Sequence, residues 1–271
     1  MTDTIPGSPD PFSRDGPELR ERCVSFIAAA VADADATGIV VVLDGGAESS
    51  AVATLAVEAL GPERVYGLVL PSSKLGSRNA QDAEAIAEAL NIETDTIHLQ
   101  PLVMSFADMS PDWVDFHGDP VVRDDLVARL RMTMARLAAD ATGGLVVGSA
   151  TRTGLLLGSI AKRGEGADIL PLGTLYGTET EALTAALDLP AFVTDPRPTV
   201  GQYPDGTGRH GVDAPTETVD RVLYRLVDFG WSPDRVRSTL DADPDVIDRI
   251  VRHRRASADE RRRPALGPAD D

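Results

Sequence analysis

The heptapeptide Asp44-Gly45-Gly46-Ala47-Glu48-Ser49-Ser50 follows the apolar run Ile39–Leu43 and precedes a helix-like stretch, Ala51–Leu60. Glycines let a backbone turn tightly and approach a bound group. Serines opening a helix leave its unpaired amides facing outward, the arrangement that holds a pyrophosphate. The junction predicts a nucleotide phosphate site, although neither G-x-G-x-x-G nor G-x-x-x-x-G-K-[ST] is present. Zinc chemistry, Ser-His-Asp hydrolysis and cysteine catalysis lack the necessary residues at useful spacing. His98 and His117 read as a strand-end and a loop histidine, and Trp113 and Trp231 as packing anchors. Cys23 is the only cysteine. It falls in a helix-like run and reads as a small core residue, with no intrachain disulfide possible.

The elements that must position this loop alternate. Met1–Pro17 is rich in Pro, Gly, Ser and Asp and reads as a loose lead-in. Leu19, Val24, Ile27 and Val31 then form the apolar face of a helix from about Glu18 to Asp35. After the strand into Leu43, strands are predicted at Val65–Leu70, Thr94–Leu99 and Leu145–Ser149, with helices at Ser77–Leu90 and Asp119–Ala139. Such alternation implies an α/β fold, a doubly wound parallel sheet with helices on both faces and ligands beyond the carboxyl ends of the strands. Asp44–Ser50, Pro71-Ser72 and Ser149-Ala150 fall at those ends. Gly154–Gly211 is Gly- and Pro-rich, with one helix predicted at Thr178–Leu187. Further helices are predicted at Thr216–Val227 and Ser232–Arg255. The expected division is a lead-in (1–17), one domain (18–264) and an acidic tail (265–271).

The 271 residues, 42% apolar, suffice to bury a substantial core. The formal net charge is −17, and Lys74 and Lys162 are the only lysines among 26 basic residues, so the surface must be rich in Asp and Glu. That balance argues against a nucleic-acid binder. It suits a salty cytoplasm, where the Debye length falls to about 3 Å near 1 M and self-repulsion is screened. No basic-then-apolar leader and no run of about 18 apolar residues occurs, so a cytoplasmic protein with no membrane partner is expected.

Further marked segments recur in order: Arg129-Leu130-Arg131-Met132, Gly148-Ser149-Ala150-Thr151, Ala161-Lys162-Arg163-Gly164-Glu165-Gly166-Ala167-Asp168-Ile169-Leu170-Pro171-Leu172, Pro198-Thr199, and His253-Arg254-Arg255 with Pro264 beyond. With the first loop they resemble the ammonia-dependent NAD synthetases, members of the ATP pyrophosphatase group whose loop reads S-G-G-x-D-S. The resemblance runs from about Arg20 to Pro264, and the segment around Lys162–Asp168 is its specific part.

The resemblance implies the adenine nucleotide alpha hydrolase-like fold and ATP-dependent amidation. The nicotinate carboxylate of deamido-NAD attacks the α-phosphate of ATP, pyrophosphate leaves, and ammonia displaces AMP to give NAD. It implies ATP and Mg²⁺, a homodimer completing the dinucleotide site, and catalytic roles for Glu48 and Lys162. By the same resemblance Asp44, Gly45, Gly46, Ser49, Ser50, Ser149 and Thr199 take ATP positions. Arg129, Lys162, Asp168, His253 and Arg254 take deamido-NAD positions, and Glu48 holds the metal. Tyr203 falls near an aromatic position of the family, with Gly208 and Arg209 replacing acidic residues there.

Four positions depart from the pattern, all on the ATP side: Asp44 for Ser, Glu48 for Asp, Gly154 for a Mg²⁺-binding Glu, and Gly177 for an ATP-contacting Lys. A carboxylate about 4 Å from a phosphate charge opposes binding by roughly 4 kcal/mol at an effective dielectric near 20. A cation between them reverses the sign, making Asp44 a candidate replacement metal ligand. Two readings follow: an enzyme with an altered metal site, or a paralogue that binds deamido-NAD or NAD as a sensor.

Overall fold

Five residues, Ile39–Leu43, form the first strand, β1, and it is apolar throughout because both faces are covered. Ile39, Val41 and Leu43 enter one core cluster, and Val40, with Val42 beside it, enters another. That is the period-two alternation of a strand in a parallel sheet clad on both sides. The computed structural model describes residues 12, 14–72, 78–116, 118–158, 166–194, 212–258 and 261. Lys162, Thr199, Tyr203 and the 265–271 tail lie outside them, as does His117.

In chain order the elements are α1 (Gly16–Asp33), β1, α2 (Ala47–Leu60), β2 (Val65–Val69), α3 (Arg78–Ala89), β3 (Glu93–Thr96), α4 (Gln100–Met109), α5 (Pro120–Thr142) and β4 (Leu145–Val147). Then follow α6 (Arg152–Leu157), α7 (Gly177–Ala185), α8 (Ala191–Thr194), α9 (Thr216–Val227), α10 (Pro233–Thr239) and α11 (Pro244–Ala256). The strands are parallel in the order β3-β2-β1-β4, with Leu43 opposite Val69 and Val41 opposite Val147.

From β1 the chain steps outward to β2 and β3, then returns to place β4 on the other side of β1. Helices α1, α2 and α3 bury Leu19, Leu55 and Ala83 against one face. Helices α4 and α5 bury Val103 and Leu130 against the other. The order therefore reverses between β1 and β4, whose carboxyl ends open the crevice where doubly wound sheets bind ligands. A third cluster, with Leu157, Tyr176, Leu223, Val236 and Ile250, joins α6 and α9 to α11 as a helical lobe beside the sheet. No helix among the described residues is long and apolar enough to cross a membrane.

Several boundaries differ from expectation for local reasons. The first helix starts at Gly16 because Asp15 caps it, accepting the Glu18 amide at 2.9 Å. Of the lead-in's described residues, Phe12 packs on Tyr176 and Tyr224, and Arg14 is ion-paired with buried Glu179. The expected helix Ser232–Arg255 is two helices, because Pro244 and its Asp243 cap start a new one. The strand expected at Thr94–Leu99 is Glu93–Thr96, and α4, which the sequence reading does not include, follows it.

Trp113 is not a packing anchor. It is 85% exposed, and Phe116 is the buried aromatic of that connection. Trp231 does pack, between Phe229 and Arg235. Cys23 is buried, its thiol 3.5 Å from the Pro171 carbonyl and pushed up to about 11 by burial, which makes it a core residue and a poor nucleophile.

Candidate functional site

At the carboxyl end of β1 the backbone turns through Gly45 at φ +78°, and a Cβ there would lie 2.4 Å from the Asn79 carbonyl oxygen. Only glycine satisfies both constraints. Gly46 is the cap of α2 in ordinary extended geometry. The helix starts at Ala47, four residues earlier than the apolar pattern suggests, so Ser49 and Ser50 lie inside its first turn and do not open it. Both are buried. Ser50 Oγ donates to the Gly46 carbonyl at 2.7 Å, while Ser49 Oγ donates to Asp44 Oδ1 at 2.5 Å. Asp44 Oδ1 also accepts the Gly46 amide at 2.9 Å. Glu48 sits in the same first turn. The first-turn amides of a helix have no partners in the turn above, so this end of α2 presents donors and a positive dipole to the crevice.

Ser149 lies just beyond β4, the strand adjacent to β1. Thr151 caps α6, accepting the Gly154 amide at 3.2 Å. The adjoining wall is tied by Asp220 of α9, a fully buried carboxylate. It accepts Thr153 Oγ1 at 2.5 Å, and the Thr178 amide and hydroxyl at 2.7 and 2.6 Å. Thr153 Oγ1 in turn accepts the Gly177 amide at 2.8 Å. Burial raises the Asp220 carboxyl above its ordinary range, with hydrogen bonds from Thr153, Thr178 and Gly177 opposing. Burial likewise raises Glu179, against the Tyr176 amide and Arg14. Gly177 is no vacancy: a Cβ there would lie 2.6 Å from Thr216 Cγ2. The methyl of Thr216 borders the volume that a larger residue would enter.

On the other side, Asp168 sits beside β4. It accepts the Val146 amide at 2.7 Å and receives Arg136 Nη1 at 2.8 and 3.0 Å. Burial raises its carboxyl, but the Arg136 and Val146 hydrogen bonds outweigh that and hold it below the usual range. Arg136 also donates to the Gly166 carbonyl. Arg129 lies two turns earlier on α5, half exposed and 3.1 Å from Asp125. Arg136 was missed in the sequence; its spacing of seven from Arg129, which places both on one helix face, was the available signal.

His253 and Arg254 belong to α11 in the helical lobe. Burial lowers the His253 pKa, Arg261 adds to this, and a hydrogen bond with the Leu157 carbonyl opposes it. The buried Arg254 Nε has no hydrogen-bond partner. Among the described residues no hydrogen bond or ion pair joins Arg129 or Asp168 to His253 or Arg254.

Among the described residues no group of three or more His, Cys, Asp or Glu could hold a metal by itself. Mg²⁺ does not require one, since it takes one or two carboxylates with substrate phosphates and waters, and Asp44 and Glu48 fit that donor set. A cavity of about 530 Å³ lies at the opposite, amino edge of the sheet, bordered by Thr37, Arg64, Tyr66 and Glu93, and holds none of these residues.

The NAD synthase family model matches residues 19–264. An NH(3)-dependent NAD(+) synthetase of Halobacterium salinarum is 35% identical over 236 residues, 86% of each chain. Among solved structures, the NH3-dependent NAD synthetase of Campylobacter jejuni matches with TM-score 0.76 and 25% identity, over 94% of this chain and all of that one. The NMN synthetase of Francisella tularensis matches with TM-score 0.76 and 26% identity, over 96% and 99% of the two chains.

Proposed function

The chain belongs to the NAD synthase family, and from that premise we propose that it amidates deamido-NAD with ammonia at the expense of ATP, giving NAD, AMP and pyrophosphate. The observation that carries this reading is the glycine-turned loop at the sheet's switch point, where Gly45 admits no side chain and the end of α2 faces the crevice. A carboxylate is a poor acyl donor until its oxygen can leave. The chemistry therefore needs donors that take up charge on the departing pyrophosphate.

In this assignment Gly45, Gly46, Ser49, Ser50, Ser149 and Thr199 bind ATP. Glu48 and Asp44 hold Mg²⁺, which when bound neutralises phosphate charge and acts as a Lewis acid. Lys162 supplies a cation at the reacting centre. Arg129, Lys162, Asp168, His253 and Arg254 bind the dinucleotide, and the buried unpaired Arg254 Nε suits an anionic ligand atom. In this reading the working form is a homodimer in which a second copy completes the dinucleotide site, as the family resemblance implies. The exposed Leu102, Phe106 and Met109 share one face of α4 and suit such an interface.

Likeness to an NMN synthetase favours one specific alternative, amidation of the mononucleotide. Incubation with Mg-ATP and ammonium should convert deamido-NAD to NAD faster than nicotinate mononucleotide to its amide. The reverse ranking would move the substrate assignment to the mononucleotide. Deamido-NAD binding without any turnover would favour the sensor reading.

The −17 net charge supports a cytoplasm of high salt. Melting temperature and dimer fraction should rise between about 0.1 and 2 M KCl as surface repulsion is screened. If neither changes with salt, the halophilic reading is wrong.

A further inference from the structure

The phosphate loop is engaged from within by its own carboxylate. Asp44 Oδ1 takes the Gly46 amide at 2.9 Å and the Ser49 hydroxyl at 2.5 Å. Both donors stand at the start of α2, where a phosphate oxygen would seek them. A carboxylate oxygen and a phosphate oxygen are alike in charge and in the bonds they accept, so the two compete for one seat.

Resting on the amidation reading above, we propose that Asp44 is a tethered anion that occupies the donors of the phosphate loop until a metal-complexed polyphosphate displaces it. The loop then admits magnesium-bound nucleotide and discriminates against metal-free pyrophosphate. Exchange without a cation leaves two anions side by side at one helix end with no charge to neutralise either. With Mg²⁺ the displaced Asp44 carboxylate has a ligand position to move to, beside Glu48 of the same turn. A serine at 44 carries no charge and has a shorter reach, so the donors would stand open.

The probe is inorganic pyrophosphate, titrated calorimetrically with EDTA present and again with Mg²⁺, into the full-length protein and its Asp44→Ser and Asp44→Asn variants. Metal-free pyrophosphate should bind Asp44→Ser at least about tenfold more tightly than the unmodified protein. Asp44→Asn keeps the shape and an accepting oxygen without the charge, and should fall between them. With Mg²⁺ the gap should shrink or reverse.

Equal or weaker metal-free binding by both variants, with melting temperature and deamido-NAD affinity retained, overturns the proposal and reduces Asp44 to a structural turn residue. So does a loop that binds no pyrophosphate in any form. Because the readout is pyrophosphate binding, it stands apart from NAD formation, and failure of the amidation reading would be seen separately in the turnover assay.

Discussion

Replacing Asp220 by alanine is expected to lower the unfolding free energy by about 3 kcal/mol, because one buried and two part-buried donors lose their acceptor together. The carboxylate is fully buried and joins Thr153 of α6 to the first residues of α7 through Thr178 and, by way of Thr153, the Gly177 amide. Urea unfolding measures the loss. Asp220→Asn, which keeps one accepting oxygen, should recover part of it. A cost below about 1 kcal/mol would show that the network does not hold these elements together.

The network also has a pH signature. Asp220 and Glu179 are raised above their ordinary range by burial, so the folded state holds their protons where the unfolded chain has released them. Their contribution is fully present below the unfolded pKa and is lost as pH rises through the raised values. Removing Asp220 should flatten that fall.

Asp168→Ala is expected to weaken deamido-NAD binding by about 1.5–3 kcal/mol, roughly ten- to more than a hundredfold, if a charge-assisted hydrogen bond to ligand is lost. The variant should also loosen the edge of the sheet, since Asp168 anchors the Val146 amide and Arg136. Here the pH sign is opposite to that of Asp220. Hydrogen bonds depress the Asp168 carboxyl against the effect of burial, so its stability is present above the unfolded pKa and lost as pH falls through the folded one. Calorimetry at neutral pH separates the roles. Unchanged dinucleotide affinity in a slightly less stable Asp168→Ala protein would leave Asp168 a purely structural residue.

What could be read from the sequence was local. The run Ile39–Leu43 declared a doubly covered strand, and the double glycine after it declared a turn that Gly45 requires. The alternating strands and helices gave the parallel sheet, with ligand-facing loops at its carboxyl ends. The start of α2 was misplaced because apolar periodicity begins at Ala51, whereas the helix begins where Gly46 caps it. Arg136 stayed hidden because its partner Asp168 lies 32 residues away, and Thr153 with Asp220 because 67 residues separate them. Trp113 was misjudged from residue type alone, since a large aromatic on a connecting turn is placed by its neighbours' packing.

The altered ATP side also looks different once its surroundings are known. Asp44 binds the loop's own donors, and the Thr216 methyl borders Gly177. Restoring a lysine at 177 thus requires room at Thr216 as well as a charge.

The central claim is that the substrate carboxylate attacks the α-phosphate of ATP, and the most direct measurement follows that carboxylate's oxygen. Deamido-NAD labelled with ¹⁸O in the nicotinate carboxyl is incubated with the unmodified protein, Mg-ATP and ammonium, and the products are resolved by mass spectrometry. The account predicts NAD retaining one labelled oxygen in its amide, and AMP carrying the other, in equal amounts. NAD formed with unlabelled AMP, or AMP released without NAD, would contradict it.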